Sequence, residues 1–134
     1  MTIYTVTTTN DELDDLDGSG SVSVENFGGA GDISLREAIA LANADSDADT
    51  IRFAGGAGEA FENAALLRLT QGELLITADL TIDGSFAGGE VVITSDANGD
   101  DILLAGSSIT DVQNNTNTSD NSRIIKIEKG TTSL

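Results

Sequence analysis

Short apolar triplets, in which two large apolar residues flank one other residue, recur along the C-terminal two-thirds of the chain. Each triplet has the period of two that is typical of a β-strand with one buried face. Glycine, asparagine, aspartate and serine fill the intervening positions, as they do in turns. We therefore predict seven short strands, at residues 51–53, 67–69, 74–76, 80–82, 91–93, 102–104 and 125–127.

The spacing of these triplets is nearly constant. Intervals of 22 to 24 positions separate Ile51 from Leu74, Leu67 from Val91, Leu80 from Ile102 and Ile102 from Ile125. One coil of a β-solenoid needs a repeat near this length, because three short strands must return to stack on the preceding coil about 4.8 Å away. We therefore predict an all-β fold, a parallel β-helix. An antiparallel β-sandwich is the main alternative, although it explains the constant interval less well.

The N-terminal residues have a different pattern. Residues 2–9 are mostly β-branched and predict a strand, whereas residues 10–20 are acidic and contain glycine, which predicts a loop. We call residues 10–20 the acidic loop. A division of the chain follows from this contrast: residues 1–48 are expected to form an N-terminal cap, and residues 49–134 the first coils of a solenoid that continues beyond this chain.

One amphipathic helix is predicted near the end of the cap region. Ser34 can act as its N-cap, and Glu37, three residues later, completes a capping box. Leu35 and Ile39 share one face of the helix with two alanines. Because a helix of about nine residues is not stable alone in water, its apolar face must dock on the remainder of the chain. We expect Ser34, Leu35, Glu37 and Ile39 to have a structural role.

Four motifs follow one another in a fixed order: SLREAI at residues 34–39, DTIRF at 49–53, GELLIT at 72–77 and LTIDG at 80–84. In this order the chain resembles the CSLREA-type N-terminal region of bacterial right-handed parallel β-helix proteins. Ile33 stands where that family has its leading cysteine, so an apolar contact is expected there. The resemblance implies a right-handed β-helix with a short N-terminal capping helix in a secreted or cell-surface protein. Relatives include adhesins and polysaccharide-active enzymes, so the fold alone implies no activity.

Charge and composition exclude several classes of partner and chemistry. The formal net charge is −17, from 23 acidic and 6 basic residues, so nucleic acid and anionic membrane surfaces are repelled. No apolar stretch is long enough to span a bilayer, and no signal peptide follows Met1. Without cysteine or histidine the chain has no disulfide, no thiol nucleophile, and neither the usual general base nor the commonest zinc ligand.

The strongest candidates for a metal site are carboxylates around a turn. Asp96, Asn98, Asp100 and Asp101 offer oxygen ligands that suit Ca²⁺, although an Asn-Gly pair is equally a plain turn signal. We treat these four residues as candidate ligands of a low-affinity Ca²⁺ site. The aspartates of the acidic loop could likewise be either Ca²⁺ ligands or ordinary turn residues. The sequence requires no cofactor.

Paired carboxylates could in principle act as a glycosidase or lyase pair. Asp79 and Asp83 flank one predicted strand. No aromatic platform or convergent basic residue accompanies them, and Asp83 begins a turn. We therefore predict no catalytic residue.

These patterns favour a structural and interaction module of a secreted or cell-surface, adhesin-like bacterial protein, without catalytic activity of its own. Its expected partners are the downstream coils, a second copy bound through an open last coil at residues 123–134, and a carbohydrate or other cell-surface ligand. Nucleic acid binding and membrane insertion are not expected. The alternatives are the N-terminal part of a β-helix polysaccharide lyase or epimerase, or of a calcium-dependent RTX-type secreted protein.

Overall fold

A computed structural model describes residues 1–95 and the backbone of residues 125–127 and 132–133. Six of the seven predicted triplets lie in or overlap its strands, and the seventh, residues 102–104, lies outside the described residues. A short 3-10 turn, Gly84–Phe86, follows the fifth strand. The elements are β1 (Ile3–Val6), α1 (Leu35–Ala44), β2 (Asp49–Phe53), β3 (Ala65–Arg68), β4 (Leu74–Ile76), β5 (Leu80–Asp83), β6 (Val91–Thr94), β7 (Ile125–Ile127) and β8 (Thr132–Ser133).

The described strands form three short parallel sheets. The largest has the order β1-β2-β5-β8, and the other two pair β3 with β6 and β4 with β7. All of these pairings are parallel, so the described strands do not form the antiparallel β-sandwich. Since β1 pairs with β2, the predicted cap region shares a sheet with the residues that follow position 48.

The predicted all-β, right-handed parallel β-helix is wrong. Among the described residues no sheet closes on itself or runs as a solenoid, and one helix of ten residues is present. The constant interval also fails, because Ile51 pairs with Ile82 rather than aligning with Leu74. Leu67 pairs with Ile93, two positions beyond the predicted Val91.

Connections of unequal length explain why the spacing of the triplets did not predict the strand pairing. Eleven residues, 54–64, separate β2 from β3, whereas three, 77–79, separate β4 from β5. The apolar triplets resemble one another, so their spacing does not reveal which of them belong to the same sheet. Parallel pairing instead follows from which buried side chains align across neighbouring strands.

One core lies between the sheets and the helix. In β2 the side chains at positions 49, 51 and 53 are buried and alternate with half-buried ones, and β4 and β5 show the same period of two. The central aliphatic residue of the largest sheet, Ile51, is fully buried. The core cluster comprises Val6, Phe27, Ile33, Leu35, Ala38, Ile39, Leu41, Ala42, Ile51, Phe53, Phe61, Leu67, Leu69, Leu74, Ile76, Leu80 and Ile82.

Helix α1 begins and ends at clear signals. Ser34 is extended (φ −77°, ψ 167°), and its hydroxyl accepts a hydrogen bond from the Glu37 amide, while the Glu37 carboxylate accepts one from the Ser34 amide. This is a complete capping box. The helix ends at Ala44, since Asp45 returns to an extended conformation. It packs against β1, β2 and β4.

Two turns stack closely beside the largest sheet. The Phe61 amide donates to the Ala54 carbonyl (2.9 Å), and the Phe61 carbonyl accepts from the Gly88 amide (2.8 Å). A Cβ atom on Gly88 would overlap the backbone carbonyl oxygen of Glu62, so only glycine permits this approach. The connection after β2 and the one after β5 are thereby held together.

Candidate functional site

The polar side chains of α1 and the acidic loop converge on residues 70–77, which we call the edge segment. This segment connects β3 to β4 and contains β4. One Oδ atom of Asp11 accepts hydrogen bonds from the backbone amides of Thr70 (2.6 Å) and Gln71 (2.9 Å). The Asp11 carbonyl also accepts one from the Gln71 side-chain amide (3.0 Å). The acidic loop is thus bonded directly to the first two residues of the edge segment.

Arg36 continues this contact along the same segment. Its two terminal nitrogens donate to the carbonyls of Gly72 (2.7 Å) and Glu73 (3.1 Å). Its Nε lies 2.7 Å from Asp11 Oδ1, and only 13% of the Arg36 side chain and 4% of the Asp11 side chain are exposed. One buried ion pair therefore binds both backbone donors and backbone acceptors of the edge segment.

The environment of Asp11 favours its ionised form. Burial acts to raise the pKa of this carboxyl, but the hydrogen bonds from Arg36 and from the Gln71 and Thr70 amides outweigh it and hold the pKa below its usual range. Asp11 is therefore negatively charged in the folded protein near neutral pH.

Asn43, near the end of α1, binds β4 as a neighbouring strand would. Its Nδ2 donates to the Leu75 carbonyl (2.8 Å), and its Oδ1 accepts from the Thr77 amide (2.9 Å). A residue in an adjacent parallel strand presents this same combination of one donor and one acceptor to positions two apart. The side chain of Asn43 therefore makes the two hydrogen bonds that the backbone of one residue in a neighbouring strand would make.

Ser34 and Glu37 bind the acidic loop to the helix. The Ser34 hydroxyl donates to the Glu12 carbonyl (2.7 Å), and Glu37 Oε1 accepts from the Asp14 amide (2.9 Å). Both side chains are fully buried. These two predicted capping residues therefore do more than cap α1, because they also fix the loop that carries Asp11 above the edge segment.

The two predicted apolar residues of the helix lie in the core. Leu35 is 2% exposed and Ile39 is 3% exposed, and both belong to the core cluster. Ile33, at the position of the family's cysteine, is also buried. These contacts orient α1 so that Arg36 and Asn43 face the edge segment.

The sequence did not identify Asp11, Arg36 or Asn43 as functional. Arg36 is one of only six basic residues in the sequence, and it lies in the first turn of a helix. A cation is unfavourable there, since the helix dipole places partial positive charge at the N-terminus. That conflict was the available signal that Arg36 has a specific anionic partner.

The four candidate Ca²⁺ ligands, Asp96, Asn98, Asp100 and Asp101, lie outside the described residues. Within the described part, no group of three or more acidic, histidine or cysteine side chains could hold a metal ion.

Two other carboxylates of the acidic loop, those of Asp15 and Asp17, bind the loop and the nearby Asn26. Asp15 accepts from the Gly20 amide and from the Asn26 side chain, and Asp17 accepts from the Ser19 amide (2.8 Å). Hydrogen bonds from Ser19 lower the pKa of Asp17.

The aspartates considered as a catalytic pair have structural contacts. Asp83 Oδ1 accepts from the Ser85 amide (2.9 Å) and caps the 3-10 turn. The hydrogen bonds from Ser85 lower the pKa of Asp83, and the nearby charge of Arg52 adds to this. The Asp79 carbonyl accepts from the Asp49 amide (3.1 Å). Both residues thus support the ends of β5.

Comparison with protein-family models, with curated proteins and with solved structures found no match to this chain. The CSLREA-type resemblance therefore stays a prediction from the sequence. No helix among the described residues combines the length and the apolar character needed to cross a membrane.

Proposed function

We propose that residues 1–95 are a non-catalytic structural module that closes one end of a set of parallel strands in a secreted or cell-surface bacterial protein. One observation carries this proposal: three side chains of the acidic loop and α1 hydrogen-bond to six residues of the edge segment. A closing function explains why these polar side chains hydrogen-bond to backbone groups and are not exposed to a substrate.

The physical need for such closure is general. Backbone amides and carbonyls at the edge of a sheet must find partners, and an open edge pairs readily with other chains. A continuing strand would satisfy them but would create a new edge. Asp11, Arg36 and Asn43 satisfy them with side chains that end the hydrogen-bond ladder.

The extracellular location rests on two features of the sequence. The motifs in residues 30–95 resemble those of secreted and surface proteins, and the net charge of −17 suits a protein that remains dispersed in water. The fold that the resemblance implies is not the one observed, so it supports the location and the capping role but not a solenoid.

The double variant Arg36→Leu/Asn43→Ala tests the closing function. It removes the side-chain bonds to Gly72, Glu73, Leu75 and Thr77. We expect it to self-associate, by light scattering and thioflavin fluorescence, at temperatures where circular dichroism shows it folded. The matched control Arg68→Leu/Asn63→Ala makes the same chemical changes at two exposed positions and should remain dispersed like the wild type.

Where the double variant is unfolded, the single variant Asn43→Ala keeps the Asp11–Arg36 ion pair and is used instead. A folded variant that stays as dispersed as the control would overturn the proposed function.

A further inference from the structure

Part of the outer edge of β1 is open. The Thr50 amide donates to the Thr2 carbonyl (2.9 Å), so the even-numbered residues of β1 face β2. Alternate residues of a parallel strand direct their backbone groups to opposite sides. The amides and carbonyls of Ile3 and Thr5 therefore point away from β2, and in the described part of the chain no hydrogen bond reaches them.

Thr7, which follows β1 on the same edge, is hydrogen-bonded to Ile33 as it would be to a residue of a neighbouring strand. The Thr7 amide donates to the Ile33 carbonyl (2.8 Å), and the Ile33 amide donates to the Thr7 hydroxyl (2.9 Å). Ile33 thus occupies the position that one residue of an added strand would take. The space beside Ile3 and Thr5 continues in line with it.

An apolar crevice of about 200 Å³ lies beside the open edge. Ile3, which is 41% exposed, contributes to one wall. The lining residues are Ile3, Tyr4 and Thr5 on the β1 side, with Val24, Ala30, Ile33 and Leu41 around them. Unpaired backbone groups next to an apolar crevice are the two features that strand addition requires.

Two carboxylates lie next to Thr2 and Tyr4, close to the crevice. Asp45 accepts hydrogen bonds from the hydroxyls of Thr2 (3.2 Å) and Tyr4 (3.4 Å). Asp49 is 2% exposed, and its Oδ2 has no hydrogen-bond partner. Burial raises the pKa of Tyr4, and the charges of Asp49 and Asp45 raise it further. A cation near this crevice would therefore be attracted.

We propose that the open edge at Ile3 and Thr5 binds one extended segment of a partner polypeptide, an apolar strand flanked by basic residues. The strand adds to β1 through backbone hydrogen bonds and places an apolar side chain in the crevice. Its basic residues complement the half-buried carboxylate of Asp45 and the net charge of −17. A second copy of this chain fits less well, since two molecules of charge −17 repel each other.

The probe is a fluorescein-labelled synthetic peptide of alternating valine and threonine with two lysines at each end. We expect saturable binding to the full chain by fluorescence anisotropy at low salt. A peptide with glutamate in place of lysine should bind about tenfold more weakly or worse, because the charge complementarity is lost. A peptide N-methylated at alternate residues, so that it cannot pair, should not bind.

Variants of Thr5 locate the binding site. Thr5→Pro removes the amide that points away from β2 while leaving the β1–β2 hydrogen bonds, and proline is tolerated at such an edge. We expect it to melt near the wild-type temperature and to lose peptide binding. The matched variant Thr5→Val keeps the amide and should bind like the wild type.

Four results would overturn the proposal: no saturable binding, equal binding of the N-methylated peptide, equal binding of the glutamate peptide, or undiminished binding by folded Thr5→Pro. Concentration-dependent dimers that Thr5→Pro abolishes would assign the edge to a second copy instead. If Thr5→Pro does not fold, the N-methylated peptide tests the same hydrogen bonds on the unaltered protein.

Discussion

Single side chains perform, at the residue scale, a task that a strand usually performs. Asn43 presents one donor and one acceptor to β4, and Arg36 with Asp11 presents both kinds of group to the residues before it. The position of each side chain is also fixed by a second contact: Arg36 and Asn43 belong to α1, and Asp11 is paired with Arg36. The edge segment is therefore covered by groups whose positions are fixed, which reduces the entropy lost on forming the bonds.

The Asp11–Arg36 pair makes stability depend on pH. The pKa of Asp11 is lower in the folded protein than its usual value of 3.8, so its contribution is complete above that pH and is lost as pH falls through the folded pKa. Asp11→Asn leaves Arg36 without its anion and should cost about 3–5 kcal/mol at pH 7. In urea unfolding the difference from wild type should shrink below pH 3.8; a difference independent of pH would contradict this.

Glu12 should have the opposite pH dependence. Burial, followed by the charges of Asp32 and Asp14, raises the pKa of Glu12 above its usual 4.5, and its Oε1 is buried without a hydrogen-bond partner. Its ionised form therefore destabilises the folded protein at neutral pH. We expect Glu12→Gln to raise the melting temperature at pH 7 and to lose this advantage below pH 4.5.

The control for Glu12→Gln is Glu25→Gln, which removes the same charge from an exposed position. If both variants raise the melting temperature equally, the gain comes from the reduced net charge and not from the burial of Glu12.

At the scale of secondary-structure elements, α1 depends on its first turn. The Ser34 hydroxyl both caps the helix and donates to the acidic loop, and it is fully buried. Ser34→Ala should therefore destabilise the protein by about 1–2 kcal/mol in chemical denaturation. The exposed Ser46 provides the comparison, and Ser46→Ala should change stability by less than about 0.5 kcal/mol. Equal effects would mean that the Ser34 contacts contribute little.

The elements themselves could be predicted from the sequence because their signals are local. The period of two locates β4 at residues 74–76, and the Ser34–Glu37 spacing locates the start of α1. The pairing could not be predicted in this way, since it depends on connections of unequal length. The edge closure was also missed, because Asp11 and the Gln71 amide that it accepts from lie 60 residues apart.

At the scale of the whole molecule, the described residues form a set of parallel strands around a core, with α1 covering part of its end. The turns beside the sheets matter as much as the strands for this arrangement, because they align one layer with the next. One close approach is at Gly88, whose amide donates to the Phe61 carbonyl.

Gly88→Ala tests that alignment. The added methyl group would overlap the Glu62 carbonyl, so the stacked turns must separate, at a cost of about 1–3 kcal/mol. The control is Gly31→Ala, where a Cβ meets no atom within 4 Å and the backbone needs no positive φ. We expect thermal unfolding at a lower temperature for Gly88→Ala only. Equal melting of the two variants would show that the turns do not hold the layers together.

Amide hydrogen exchange measured by NMR tests the central claim, the closure of the edge segment, most directly. The amides of Thr70, Gln71 and Thr77 lie outside the strands, and within the described part of the chain only side chains of the acidic loop and α1 accept from them. We expect all three to exchange more slowly than unstructured amides, with Asn43→Ala releasing Thr77 alone. Exchange of these amides in the wild type at the rate of an unstructured peptide would contradict the account.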